Sequence, residues 1–560
     1  PVVKFENGAA TEQYMFNNNA TLSGFYNHDV FIVMVPDATM TSASARNTIF
    51  AGVDSGSAGD ITGIGFGDYS SEFTGEVLSY NQDVDAGGSY NGDAVTSGSY
   101  ASPGIINIRN DAASSPNKQD ILYNSNVLTT TNVSDVTFTN IVGSEYWVGK
   151  NFDIAGSLNG RVAEIFTFAE RLSDADRQKV ESYLAIKFGI TLGASTEAQK
   201  DYINSFNTKV WDATINAGYN YDVAGIGRDS ISDLNQKQSK SINYANSVTI
   251  GLGGVSATNS ANPNEFVADG DFLVWGNNNG AFTGTNTNTV TIASGVTTSL
   301  TRIDRKWKIV ESNEDIDGDV ETVYVSIPLA AFSGFTKTAT EEYVLIVADN
   351  ANFANGDIID VIPLRSDGGT NLETWYNFEG IKYFTFGVSP KLSENHSISI
   401  ASGDYLVGDN LLNLNVDKFS ISAWIKVAAN SSDRTIMAKG DKLQIRLNTT
   451  GNAEVFIDDA VTPKYTSNMD LDDGKWHHTT YIYDSGTLLM YVDGVLDKSV
   501  QNVVHPSPNY NHFSVGVVHT NKNVVFNPLL GEIDEVYVWD IALSEAQVRY
   551  LMNQEIERFD

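Results

Sequence analysis

The sequence predicts an all-β chain of three consecutive domains. Three observations carry that class. Short runs of alternating or continuous β-branched and aromatic residues recur between Gly, Asn, Asp and Ser clusters. Only two stretches show helical periodicity, and each follows a strand-like run. Those two strand–helix units, GRVAEIFTFAERLSDAD and GEIDEVYVWDIALSEAQ, align without a gap, so Gly160 matches Gly531, Leu172 matches Leu543 and Ser173 matches Ser544. The chain therefore holds two copies of one fold, at residues 1–195 and 391–560, around a different β-rich middle domain at 196–390.

In chain order, the first strong strand is DVFIVMV, whose apolar run at 30–35 is far short of the ~20 residues that cross a bilayer. The first helix begins at Ser173, where the SDAD segment sets Asp176 three residues after a hydroxyl N-cap, and Val180, Leu184 and Phe188 fall on one face. The middle domain contributes RIDRKWKIV, ETVYVSI and YVLIV, separated by polar loops such as NNNGAFTGTNTNT. The last domain contributes FSISAWIKV and LLMYVDG. It closes on SEAQVRYLMN, with Ser544 as N-cap, Gln547 completing a capping box, and Val548, Leu551 and Met552 as the buried stripe. Trp424 and Trp539, set in alternating runs, are expected in the core.

Composition narrows function. Of the 560 residues, 35 are Lys or Arg and 69 are Asp or Glu, a net charge of −34 that repels nucleic acid and anionic lipid. The absence of cysteine removes disulfides, thiol catalysis and Cys-ligated zinc. The opening PVVKFENGAA has neither an initiator Met nor a signal-peptide pattern and reads as part of something longer.

The segments FSISAWIKV, DDGKWHHTTYIYDSGTLLMYVDGVL and GEIDEVYVWDIALSEAQVRYLMN resemble the laminin-G-like, concanavalin-A-like jelly roll of secreted proteins. The extended unit GRVAEIFTFAERLSDADRQKVESYLAIKFGITL resembles lectin-like modules in large surface proteins of Bacteroidota. The segment YDVAGIGRDSISDLNQKQSKSIN, with FLVWGNNNG and RKWKIVES, is similar to the β-rich module that accompanies them. The fold this implies is two concanavalin-A-like jelly-roll sandwiches flanking a β-sandwich-like middle. The resemblance also implies an extracellular, cell-surface protein of the gliding or attachment adhesin type, exported by the type IX route. It would bind glycans or partner surface proteins, without nucleic acid or membrane insertion. A spacer or docking platform for companion subunits and a polysaccharide-degrading enzyme are the alternatives, since jelly rolls serve many roles.

Site chemistry is sparse. In GEIDEVYVW, Glu532 and Asp534 share a strand face as in glycoside hydrolases of related fold, but the third carboxylate position falls on Val536 or Tyr537, so the catalytic set is incomplete and a non-enzymatic role is expected. Asp534 is instead expected to meet Asp404 across neighbouring first and last strands as a structural calcium site, in the C-terminal copy alone because Ala163 stands at the matching place in the first. Asp315, Asp317 and Asp319 read as a hairpin turn, and His477 and His478 as sandwich framework on opposite strand faces. Exposed aromatic candidates for sugar stacking are Tyr14, Tyr69, Tyr80, Tyr90 and Tyr100.

Overall fold

The computed structural model describes residues 2–6, 13–17, 27–36, 47–54, 61–66, 78–83, 90–95, 100, 102–111, 118–132, 144–150, 158–193, 199–262, 264–284, 286–291, 297–312, 320, 322–366, 369–391, 397–408, 410, 412–458, 460–520 and 524–552. They pack into two compact units. One comprises Pro1–Thr249, Asp269–Gly280 and Arg305–Ile316, the other Ile250–Ala268, Ala281–Asp304 and Asp317–Asp560. The class is all-β. Asp315, Asp317 and Asp319 lie outside the described residues, as does Tyr69.

The first unit opens with a two-sheet sandwich. Its six-stranded sheet runs Val3–Phe5, Gly160–Phe168, Asn27–Pro36, Gly104–Asp111, Lys118–Tyr123 and Asn126–Val127. The facing sheet ends in Asn47–Asp54, Ser144–Val148 and the short edge strand Met15–Asn17. Alternation along Asn27–Pro36 sends Val30, Ile32 and Met34 between the sheets, while Phe31 and Val33 face outward onto a helix. The strand is thus buried on both faces, which accounts for its unbroken apolar run.

That helix, Asp174–Phe188, is N-capped by Ser173, whose Oγ accepts the Asp176 N–H at 3.1 Å. It ends at Gly189 with φ 66°, where a Cβ would lie 2.1 Å from the Lys240 carbonyl oxygen, so no larger residue fits. Leu184, Ala185 and Ile186 pack between the sandwich residues Phe31, Val33 and Ile105 and the following segment's Trp211, Val223 and Phe272. The helix is therefore enclosed on more than the one stripe that Val180, Leu184 and Phe188 suggest, and Glu181 and Ser182 are buried with it. Glu181 survives there through Ser125 and Arg177, whose hydroxyl and guanidinium donate to Oε2 at 2.7 and 2.5 Å, although burial pushes its carboxyl up from the ordinary value.

The second unit ends in another sandwich. One sheet runs Ile398–Ile400, Gly531–Trp539, Lys418–Ala428, Asp473–Asp484, Thr487–Val492 and Val495–Gln501. The other runs Leu406–Val407, Phe513–Val515, Arg434–Lys439, Leu443–Leu447, Asn452–Ile457 and Tyr465–Asp470. The core between them includes Ile421, Ile425, Ile436, Leu447, Met490 and Ile533. Opening strand, closing strand and third strand are adjacent in the same order in both sandwiches, and each closing strand carries a β-bulge. The duplication seen in the sequence is thus one of topology as well. The expected capping box forms at Glu545–Met552: the Ser544 N–H donates to Gln547 Oε1 at 2.9 Å and the Gln547 N–H to Ser544 Oγ at 3.3 Å. Val548 and Leu551 pack with Ile482, Leu489, Tyr491 and Trp539 on the outer face of the sheet that contains Gly531–Trp539. Among the described residues no helix is long and apolar enough to cross a membrane.

Candidate functional site

The helix covers only one end of that outer face. At the other end, strand register sets side chains from four strands in one transverse row. Lys426 pairs with Trp476 on one side and with Glu532 on the other, and Glu532 pairs with Ser399 on the opening strand. Since Ile425, Val427, Ile533 and Ile400 point into the core, the row Trp476–Lys426–Glu532–Ser399 points outward. Two residues further along each strand, a second row holds His478, Trp424 and Asp534.

The first row joins an apolar plate to a charged pair. Trp476 is 36% exposed, the Lys426 ammonium stands 5.9 Å from its ring centroid, and the same ammonium bonds Glu532 Oε1 at 2.9 Å. Ser397 Oγ donates to the other carboxylate oxygen at 3.1 Å. The Lys426 ammonium holds the Glu532 carboxyl below its ordinary range, so it is an ionised acceptor at neutral pH. Beside the row lies a depression of about 460 Å³ bordered by Ser399, Ser402, Lys426, Gly474, Gly531 and Glu532. A flat indole, a donor, a carboxylate and hydroxyls along one shallow surface form a set able to stack one ring and hydrogen-bond its polar edge.

The second row supports the first. His478 packs 5.3 Å from Trp424, and its backbone N–H donates to Asp493 Oδ1 at 2.8 Å. Burial pushes its imidazole down to about 4, so it is neutral at physiological pH. His477 faces the other way, as expected, and bridges Asp493 and Asp473 at 2.9 and 3.2 Å.

Several expectations are corrected. Trp424 and Trp539 are not in the inter-sheet core, because alternation gives that place to Ala423 and Ile425. Trp424 lies half-buried on the outer face, and Trp539 packs with the C-terminal helix. Tyr80 and Tyr100 are buried between the sheets of the first sandwich. Tyr14 is exposed, and Tyr90 is described in its backbone only.

The Asp404–Asp534 pairing does not fit a shared calcium cage. The opening strand runs antiparallel with Ile398 opposite Ile533 and Ile400 opposite Gly531, so Asp404 follows one end of this ladder and Asp534 lies beyond the other. Each carboxylate is instead engaged locally, Asp404 accepting the Ala401 N–H at 3.1 Å and Asp534 the Glu535 N–H at 2.9 Å. Among the described residues no three His, Asp or Glu converge as a metal-binding group.

The two copies differ at this site. In the first sandwich the row positions of Ser399, Glu532 and Lys426 are held by Lys4, Arg161 and Val35. The stacking-and-carboxylate chemistry therefore belongs to the C-terminal copy. The aromatic at Trp476 was visible in the GKWHH run, but its partners at 399, 426 and 532 become neighbours only through register.

Residues 401–549 match the family described as the concanavalin A-like lectin/glucanases superfamily, and residues 176–379 match a domain of unknown function. No curated protein matches the chain. Similar solved structures include domain 4 of AbnA, an extracellular GH43 arabinanase from Geobacillus stearothermophilus, in complex with arabinotriose (23% identity, 29% of this chain, 84% of that chain, TM-score 0.22). A protein of Bacteroides ovatus described as carbohydrate binding is also similar (19% identity, 42% and 80% coverage, TM-score 0.23), as is a SAP-like pentraxin of Limulus polyphemus (17% identity, 25% and 72% coverage, TM-score 0.22). By that family match, residues 401–549 of the C-terminal sandwich form a concanavalin A-like domain, and the outward row Trp476–Lys426–Glu532–Ser399 lies on its sheet.

Proposed function

We propose that this chain is a non-enzymatic glycan-binding region of an extracellular adhesin displayed at a cell surface, and that its C-terminal sandwich binds a neutral sugar residue through Trp476, Lys426, Glu532 and Ser399. The observation that carries the reading is the four-strand row, which sets a half-open indole beside a fixed ammonium–carboxylate pair. The pair's two charges offset each other, which suits a ligand with hydroxyls and no net charge. Glu532, held ionised, accepts hydroxyl hydrogens and is poorly suited to deliver a proton as a hydrolase acid must. Weak sites of this kind gain strength when many copies are displayed together.

The test is a glycan array on the full chain, followed by calorimetric titration of the best ligand into the wild type, Trp476→Ala and Glu532→Gln. Binding of a neutral glycan that both substitutions weaken supports the proposal. A ligand unaffected by either, or release of reducing sugar from the array polysaccharides, overturns it.

A further inference from the structure

The first sandwich carries an aromatic surface built by different residues. On the strand Ser144–Val148, Tyr146 and Val148 pack toward the inter-sheet core, so alternation turns Trp147 to the outer face. The edge strand Met15–Asn17 pairs with it, setting Phe16 directly across from Trp147. The two rings stack at 4.8 Å with an interplanar angle of 17°, and Tyr14 leans on the same indole at 5.1 Å. Trp147 is the floor, 7% exposed, whereas Phe16 is 51% and Tyr14 41% exposed. The Lys150 ammonium stands 5.3 Å from the Tyr14 ring centroid.

We propose that Tyr14 and Phe16, supported by Trp147, form a second glycan platform, which stacks the C–H faces of successive pyranose residues of a linear polysaccharide. Rings seated on a buried indole lose little side-chain freedom on binding, and their centroids lie 6.1 Å apart with planes tilted by 44°, so the two rings offer neighbouring faces to successive residues of a twisted chain. Lys150 at the border adds a donor for ring substituents. The platform is independent of Trp476: it lies on the other sandwich, and its chemistry is stacking without a carboxylate–ammonium pair.

The experiment titrates cellohexaose, laminarihexaose, mannohexaose and an alginate hexamer into the full chain carrying Trp476→Ala, which removes the C-terminal site, with tryptophan fluorescence as readout. At least one oligosaccharide is expected to bind. Adding Phe16→Leu, which keeps apolar bulk but removes the π-face, should weaken that binding roughly tenfold, equivalent to about 1.4 kcal/mol. Phe16→Tyr should retain it. Absence of binding by all four sugars, or equal binding by the Phe16→Leu protein, overturns the proposal. Saturable fluorescence change with an extended peptide and none with the sugars assigns the edge to a protein partner and also overturns it. The difference in affinity between the wild type and Trp476→Ala reports the C-terminal site, whereas the binding that remains in Trp476→Ala and its further loss on Phe16→Leu report this one.

Discussion

Acidification should weaken the C-terminal sandwich through a single imidazole. His478 is buried against Trp424, and among the described residues its Nδ1 has no hydrogen-bond partner, so protonation places a charge where solvent cannot reach it. Its pKa falls from 6.5 to about 4 on folding. The unfolded chain therefore binds this proton more readily, and the contribution to stability is complete above pH 6.5 and lost as pH falls toward 4. The full difference is roughly 3 kcal/mol, and between pH 7 and pH 5 the loss is about 2 kcal/mol. Carboxylates titrate in the same range, so the contribution is isolated by comparing the wild type with His478→Gln in urea unfolding at pH 7, 6 and 5, read by hydrogen exchange of Lys418–Ala428 and Asp473–Asp484. The wild type should lose more stability than the variant by that amount. Parallel curves would refute the assignment of a neutral, desolvated imidazole.

Two further outcomes follow from buried charge. Asp93 lies opposite Tyr80 in the first sandwich, and burial, reinforced by Asp120, raises its pKa from 3.8 to about 6. The folded state here holds the proton more tightly, so stability falls as pH rises through that interval, and Asp93→Asn should stabilise the sandwich at pH 7 by up to about 3 kcal/mol, measured by calorimetry, with no gain at pH 3.5. Arg434, with no exposed surface, bonds Asp472 at 2.7 Å and the carbonyls of Ala428, Asn448 and Ser432 at 2.8, 3.0 and 3.1 Å. Arg434→Met removes the buried cation that neutralises Asp472 and one donor from each of these carbonyls, and should cost about 3–5 kcal/mol in urea unfolding of the second unit.

What could be read from the sequence was local. The N-cap at Ser173 and the capping box at Ser544 involve residues within one turn, and the structure forms both. The duplication was legible because each closing strand and its helix are contiguous in sequence. Trp424 was misplaced because period-two alternation says that neighbours face opposite ways without saying which face is the core; the partner strands decide that. Asp404 and Asp534 failed as a pair for a related reason. Adjacency of first and last strands was correctly expected, but the register that separates the two carboxylates rests on pairings such as Ile398 with Ile533. Glu181 was overlooked as a buried acid because an apolar stripe implies a solvated opposite face, whereas this helix is packed on several sides.

The most direct measurement of the central claim is the affinity of the intact chain for its best neutral glycan with and without the Trp476 indole. Trp476→Ala should lower that affinity at least tenfold, about 1.4 kcal/mol, while leaving thermal unfolding within a degree or so, since the ring is exposed and outside the core. Undiminished affinity in a folded Trp476→Ala protein would contradict the account.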